Sequence, residues 1–179
     1  MEARDCIMGR RSIRAFQDRH IDAELLKKIV EEASYAPSWK HTQITRYVVV
    51  TNKELKDKIG DCTSAYPHNG EIIKSAPAVV VVTFIKNRSG FERDGSYSTD
   101  REGGWQMFDT GAACEAFCLA AYEHGLGTVI QGIFDRDKVE QAISLSEDRE
   151  VSCLIPIGYP AEEPVAPKRK PVDDLLTII

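Results

Sequence analysis

Cysteine is scarce and unpatterned in this chain. Cys6, Cys62, Cys114, Cys118 and Cys153 are odd in number, and no CxxC occurs. That disfavours a secreted disulfide framework. Cys114 and Cys118 could share one helix face, but none of His20, His41, His68 and His124 stands at ligand spacing to them. No metal is expected, and most of the cysteines read as small core residues. Long hydrophobic runs are missing too. The most apolar stretch, Ala76 to Ile85, spans about ten residues, far short of a membrane span. No basic-then-apolar leader opens the sequence, so the expected location is cytoplasmic. A basic excess is absent: 23 Lys and Arg face 28 Asp and Glu, for a net charge of -5. This argues against nucleic acid as a partner. Motifs for a phosphate loop (GxxxxGK[ST]), a dinucleotide fold (GxGxxG), a hydrolase elbow (GxSxG) and a zinc protease (HExxH) are all lacking.

What remains is a chain of 179 residues, 42% hydrophobic and 28% charged. It suits one globular domain over 1–179 with its own core. The densest chemistry lies early, in Arg10-Arg11-Ser12-Ile13-Arg14. An extended backbone there puts Arg10, Ser12 and Arg14 on one face and Ile13 on the other. A helical turn still brings Arg10 and Arg14 together. Either way the cluster offers planar, charged donors to a phosphate-like anion. On local sequence alone it reads more readily as a solvated basic patch on a surface helix.

Around it the elements follow in order. Residues 2–9 read as a short helix with Cys6 and Ile7 inward. Asp22 is an N-cap for a helix from Ala23 to about Tyr35, with Leu25, Leu26, Ile29, Val30 and Ala33 as its apolar stripe. Pro37 stops it. The loop Ala36 to Gln43 is either a ligand wall or a capping loop with Trp39 plugging the core. Ile44 to Thr51 reads as a strand, and Asn52 caps a helix over Lys53 to Asp61. Residues 62–70, with Tyr66-Pro67 and Asn69-Gly70, read as irregular before a helical turn at 71–75. Ala78 to Ile85 is a strand so continuously apolar that helices should cover both faces. Residues 87–104 read as a flexible loop or lid. Trp105 to His124 is the longest helix, closed by Gly125. A strand and turn over Gly127 to Gly132 follow, then a helix capped by Asp135, then a strand over Val151 to Gly158. In that strand Pro156 favours an end or an edge. The tail 159–179 carries prolines and then Val172, Leu175, Leu176, Ile178 and Ile179. It docks on a partner subunit or folds back on its own sheet. These patterns describe a helix-rich α/β or α+β domain with a sheet of four or more strands.

Several segments together resemble the FMN-dependent nitroreductase family. They are Arg10 to Phe16, Ala36-Pro37-Ser38 through Gln43, and Asp109-x-Gly111-Ala112-Ala113. Leu119-Ala120-Ala121 through Gly125-Leu126-Gly127-Thr128 and Ile157-Gly158-Tyr159-Pro160 with Pro164 and Arg169 complete the set. The resemblance implies an α+β three-layer sandwich around a mainly antiparallel sheet. It further implies an intertwined homodimer with FMN in the subunit interface and a C-terminal extension wrapped on the partner. By position, Arg10 and Ser12, next to Arg11, hold the phosphate and ribityl chain, and Arg169 adds a second arginine. Arg14 lies near the pyrimidine end of the ring, where a cation stabilises charge gained on reduction. Pro37 and Ser38 reach the flavin from the other subunit, in a loop that also carries Trp39 and His41. Asn69 contacts the pyrimidine edge, and Gln131 and Gly132 form the turn whose backbone N–H faces flavin N5. The implied reaction is ping-pong: NADH or NADPH reduces the flavin, which then reduces a nitroaromatic, a quinone or another electron-poor small molecule. No side-chain acid or nucleophile is required. One departure stands out, since His41 occupies a position where the family usually has asparagine. Two alternatives remain. One is a specialised flavoenzyme on the same fold (a dehydrogenase, a flavin-consuming enzyme or a dehalogenase). The other is a non-catalytic flavin-binding protein.

Overall fold

The structure is a computed structural model and describes residues 2–179. It opens with a short helix α1 (Ala3–Gly9), whose Cys6 is buried. Ile7, expected inward, is 63% exposed. So short a helix, one turn before an extended segment, buries only its one inner position.

Three helices begin where a side-chain acceptor meets free backbone N–H groups. Asp22 accepts from Glu24 N–H at the start of α2 (Ala23–Ala33), and Asn52 accepts from Leu55 N–H at the start of α3 (Lys53–Asp61). The next helix, α4 (Pro67–Ser75), starts earlier than the expected turn at 71–75. Pro67 stands at its first position, where a missing N–H costs nothing. Gly70 is therefore a helix residue, not part of a turn. It lets α4 press on α3: a Cβ at Gly70 would lie 2.6 Å from the Gly60 carbonyl oxygen.

Four strands, β1 (Thr45–Val50), β2 (Ala78–Ile85), β3 (Gly127–Thr128) and β4 (Arg149–Gly158), form one sheet in the order β1-β2-β4-β3. All three pairings are antiparallel. The expected strand at 127–132 is regular only at its first two residues, and Gln131 then pairs singly with Leu154. Pro156 lies near the C-terminal end of β4, an interior strand.

Helices cover both faces of the sheet. On one side α2 and the long helix α5 (Gly104–Glu123) pack on Ala78, Val80 and Val82, with Phe117 and Ile29 fully buried. On the other, Ile59 of α3, Ile73 of α4 and Val139 of α6 (Arg136–Ala142) pack on Val79 and Val81. Asp135 caps α6 by accepting from Lys138 N–H. The double burial of β2 follows from its almost continuous apolar run, interrupted only by the buried Thr83. In β4 a bulge at Ser152 intervenes, since Val82 faces Cys153 while Thr83 faces Val151. The extra residue reverses the alternation, so Val151 and Cys153 serve opposite faces.

Gly125 closes α5 at φ +76, with Gly125 N–H donating to Tyr122 and Leu126 N–H to Ala121. Residues 87–103 are folded around a small hairpin: Phe91 bridges Tyr97, and their rings lie 5.0 Å apart. Beyond β4 the tail runs back along residues 15–17, with Ala161 N–H donating to Ala15 and Gln17 N–H to Tyr159. Its last residues are exposed, including Leu175, Leu176, Ile178 and Ile179. Among the described residues no helix is long and apolar enough to cross a membrane. No group of three or more His, Cys, Asp or Glu among them could hold a metal.

Candidate functional site

The arginine cluster is extended. Ser12 bridges Thr128 in parallel, and Ile13 N–H donates to the Thr128 carbonyl at 3.0 Å. Ile13 is buried in the space that a Cβ on Gly127 would fill, 2.6 Å from the Ile13 side chain. That seat turns Ser12 and the arginines outward. A groove of about 320 Å³ results, lined by Arg10, Arg11, Ser12, Arg14, Pro164, Val165, Pro167 and Arg169. Both ends of the chain build it.

The two ends are fastened by Glu162, whose carboxylate accepts the backbone N–H groups of Arg14 and Ala15, at 2.5 and 3.1 Å. This acid engages the backbone rather than a guanidinium. Of the four arginines that line the groove, Arg10 is the exception, paired through Nε to Glu115 at 3.3 Å. Arg11 donates to the Met8 and Arg10 carbonyls, Arg14 to that of Ser12, and Arg169 to that of Pro167. Among the described residues none of these three meets a carboxylate within ion-pair distance, so their charge is available to an incoming anion.

The other expected residues fall into two further groups. Pro37, Ser38, Trp39 and His41 share the loop that leads into β1, at the sheet edge away from β3, where Ser12 pairs. Pro37 and Ser38 line a second, mostly apolar cavity of about 570 Å³ between α2 and the edge strand β1, with Leu26, Val30 and Tyr47 in its walls. Trp39 packs on Trp105 at 4.8 Å. His41 is exposed, with a left-handed backbone at φ 57. Asn69 and Gln131 meet each other, the Gln131 Nε2 donating to the Asn69 carbonyl at 3.4 Å. Gln131 is buried, its Oε1 has no partner among the described residues, and its backbone N–H donates to Leu154 at 2.8 Å. Gly132 is exposed, with open space where a Cβ would stand. One chain thus gathers Arg10, Arg11, Ser12, Arg14 and Arg169, but does not join them to the Pro37–His41 loop.

Sequence reasoning missed Glu115, Glu162, Ser89 and any structural role for Asp109. Their partners lie 20 to 148 residues away, beyond any local pattern. The buried groups offer no nucleophile. The Cys114 thiol, hydrogen-bonded to Cys153 at 3.5 Å and buried, is pushed up, and burial pushes Cys118 up to about 11. Such thiols stay protonated and inert. Burial lowers Lys56, whose ammonium donates to the Ala76 carbonyl. The groove can bind and orient an anion, and no acid, base or nucleophile pair lines it.

Residues 7–65 and 62–159 match the nitroreductase family. The chain belongs to that family. It is 32% identical over 168 residues to a Methanothermobacter thermautotrophicus protein named "Putative NADH dehydrogenase/NAD(P)H nitroreductase", covering 92% of this chain and 80% of that one. Among solved structures, a nitroreductase family protein from Clostridium novyi NT is similar. Its TM-score is 0.78 at 29% identity, over 90% of this chain and 87% of the other. An FMN-dependent nitroreductase from Clostridium difficile R20291 has a TM-score of 0.74 at 27% identity, over 91% and 90% of the two chains. The antiparallel four-stranded sheet with helices on both faces is thus a nitroreductase-like α+β fold.

Proposed function

We propose that this nitroreductase is an FMN-dependent oxidoreductase. It takes hydride from NADH or NADPH and passes it to an electron-poor small molecule, such as a nitroaromatic or a quinone, in two successive half-reactions. The observation that carries the reading is the groove in which Arg11, Arg14 and Arg169 keep their charges free beside the Ser12 hydroxyl. A flavin phosphate fits that donor set: it is dianionic, and each guanidinium can give it paired charge-assisted bonds. FMN is the cofactor named for the similar Clostridium difficile R20291 enzyme. NAD(P)H is the donor named for the Methanothermobacter relative.

Bound FMN supplies the hydride-accepting atom, so the protein's work is to hold, orient and polarise. Arg11, Ser12 and Arg169 hold the phosphate, while Arg10 keeps the fork of its guanidinium free beyond its Nε contact with Glu115. Arg14 would lie toward the ring, where its charge would stabilise the negative charge that reduction brings. Gln131 N–H is engaged by Leu154, which leaves the exposed Gly132 N–H as the donor toward the ring. Pro37, Ser38, Trp39 and His41 approach from a second copy of the chain.

A homodimer also accounts for two unsatisfied surfaces. Strand β1 is an edge, flanked by the apolar cavity with Lys27 and Arg46 in its lining. The exposed tail carries Leu175, Leu176, Ile178 and Ile179 with Asp173 and Asp174. Apolar and charge matching supports docking of the tail on a partner.

The deciding experiment is a visible absorption spectrum of the purified protein, followed by anaerobic titration with NADH and with NADPH. A yellow protein bleached by at least one donor and reoxidised by a quinone is expected. A colourless protein that takes up no FMN would refute the reading.

A further inference from the structure

The loop between α2 and β1 is held in an unfavourable form. Lys40, His41 and Gln43 all have positive φ, at 44, 57 and 46. None is glycine, and side chains at such angles crowd their own backbone. Local bonds oppose relaxation: His41 N–H donates to the Ser38 carbonyl, Thr42 N–H to that of Trp39, and Gln43 N–H to Ser38 Oγ at 2.9 Å. These bonds lie within the loop and cannot anchor it to the body of the molecule.

The anchor is Asp109, a carboxylate only 3% exposed on α5. Its Oδ2 accepts Trp39 N–H at 2.9 Å and Ser89 Oγ–H at 2.6 Å. Ser89 is fully buried at the base of the hairpin segment 87–103. One oxygen thus ties the strained loop, the hairpin and the long helix together. Two further contacts run in parallel, the Trp39–Trp105 ring pair and the Lys40–Glu92 ion pair at 3.0 Å. A buried carboxylate needs such donors, and here they come from two segments that carry no other duty toward it.

We propose that Asp109 is a positioning residue: through Trp39 and Ser89 it locks the Ser38–Gln43 loop in its left-handed form and so sets where Ser38 and His41 stand. The hairpin is then a brace for that loop rather than an independent lid. The loop-locking half stands on the contacts alone. Its consequence for the cofactor rests on the flavin reading above.

The test compares wild type, Asp109→Ala, Ser89→Ala, and each variant combined with Gln43→Gly. Amide exchange is read first, in the protein without flavin, at Thr42 and Gln43, whose N–H groups do not touch Asp109. Both amides are expected to exchange about tenfold faster in Asp109→Ala, with β2 amides unchanged. Gln43→Gly, which removes the penalty at one left-handed position, restores part of the protection. Ser89→Ala, a milder change, gives a smaller effect in the same direction and serves if Asp109→Ala does not fold. FMN titration is read second. A dissociation constant raised about tenfold, and partly recovered by Gln43→Gly, is expected. Unchanged Thr42 and Gln43 exchange, or loss that glycine deepens, would overturn the lock. A loosened loop with FMN affinity and flavin potential unchanged would overturn its role at the site. A wild type that binds no FMN would sink the flavin reading and leave the exchange result to decide the lock.

Discussion

Replacing Gly70 by alanine sets two effects of opposite sign against each other. In a helix interior alanine is favoured over glycine by about 1 kcal/mol. If α4 had room, the variant would be more stable. The structure denies it that room. A Cβ at Gly70 would stand 2.6 Å from the Gly60 carbonyl oxygen and 2.7 Å from Thr63 Oγ1. The first is backbone of the facing helix, and Thr63 is buried and hydrogen-bonded to that same carbonyl at 2.7 Å. Neither can swing aside as the end of a long side chain could. Overpacking of this kind costs about 1–3 kcal/mol, and two rigid obstacles argue for the upper end. Subtracting the helix gain leaves a net loss of about 2 kcal/mol, or roughly 4–8 °C in Tm for a domain of this size. Thermal and urea unfolding of Gly70→Ala, with and without saturating FMN, measures it, the second arm correcting for ligand stabilisation. A Tm equal to or above that of the wild type would refute the close approach of α3 and α4.

Three further outcomes are expected. Arg11→Gln and Arg169→Gln should each weaken FMN about tenfold, as loss of one charged hydrogen bond implies, and should flatten the salt dependence of binding. Flavin fluorescence quenching reads both, and unchanged affinity in the two variants would move the phosphate elsewhere. Cys118, raised to about 11, is almost wholly protonated at pH 8. An aromatic disulfide reagent should therefore react slowly with the native chain and release five equivalents only after unfolding. Because folding raises that thiol, its contribution to stability is complete below about 8.5 and is lost as pH rises toward 11. Deleting residues 171–179 should leave the sheet intact and weaken self-association, as sedimentation velocity would show. A truncated chain that sediments like the full one would refute docking of the tail.

Caps and burial patterns were legible because they are local. Asp22, Asn52 and Asp135 each precede a helix and each accept a first-turn N–H, as their side chains dictate. The almost continuous apolar run of β2 announced a strand covered on both faces. Asn69-Gly70 misled because an Asn-Gly pair favours turns, while here the glycine serves helix contact with Gly60, which lies outside any local window. The Ser152 bulge left no trace either, since it depends on pairing with β2. At the candidate site, the arginine cluster was visible as chemistry. The family motifs supplied its link to Arg169, and the structure brings the two into one groove. Glu162, Glu115 and Asp109 were not visible, because an acid's role depends on whether it meets a guanidinium or a backbone N–H.

The Glu162 clamp also bears on how the protein is made. The Arg14–Glu162 bond closes a loop of 148 residues, and the groove beside it takes its walls from residues 10–14 and 164–169. Chains emerge from the ribosome N-terminus first. Arg10 to Arg14 therefore leave the ribosome long before residues 164–169 and cannot complete their groove until those are free. A nascent chain that stops short of residue 164 cannot assemble this groove. A prematurely terminated chain would lack the groove's second wall, however well its core had folded.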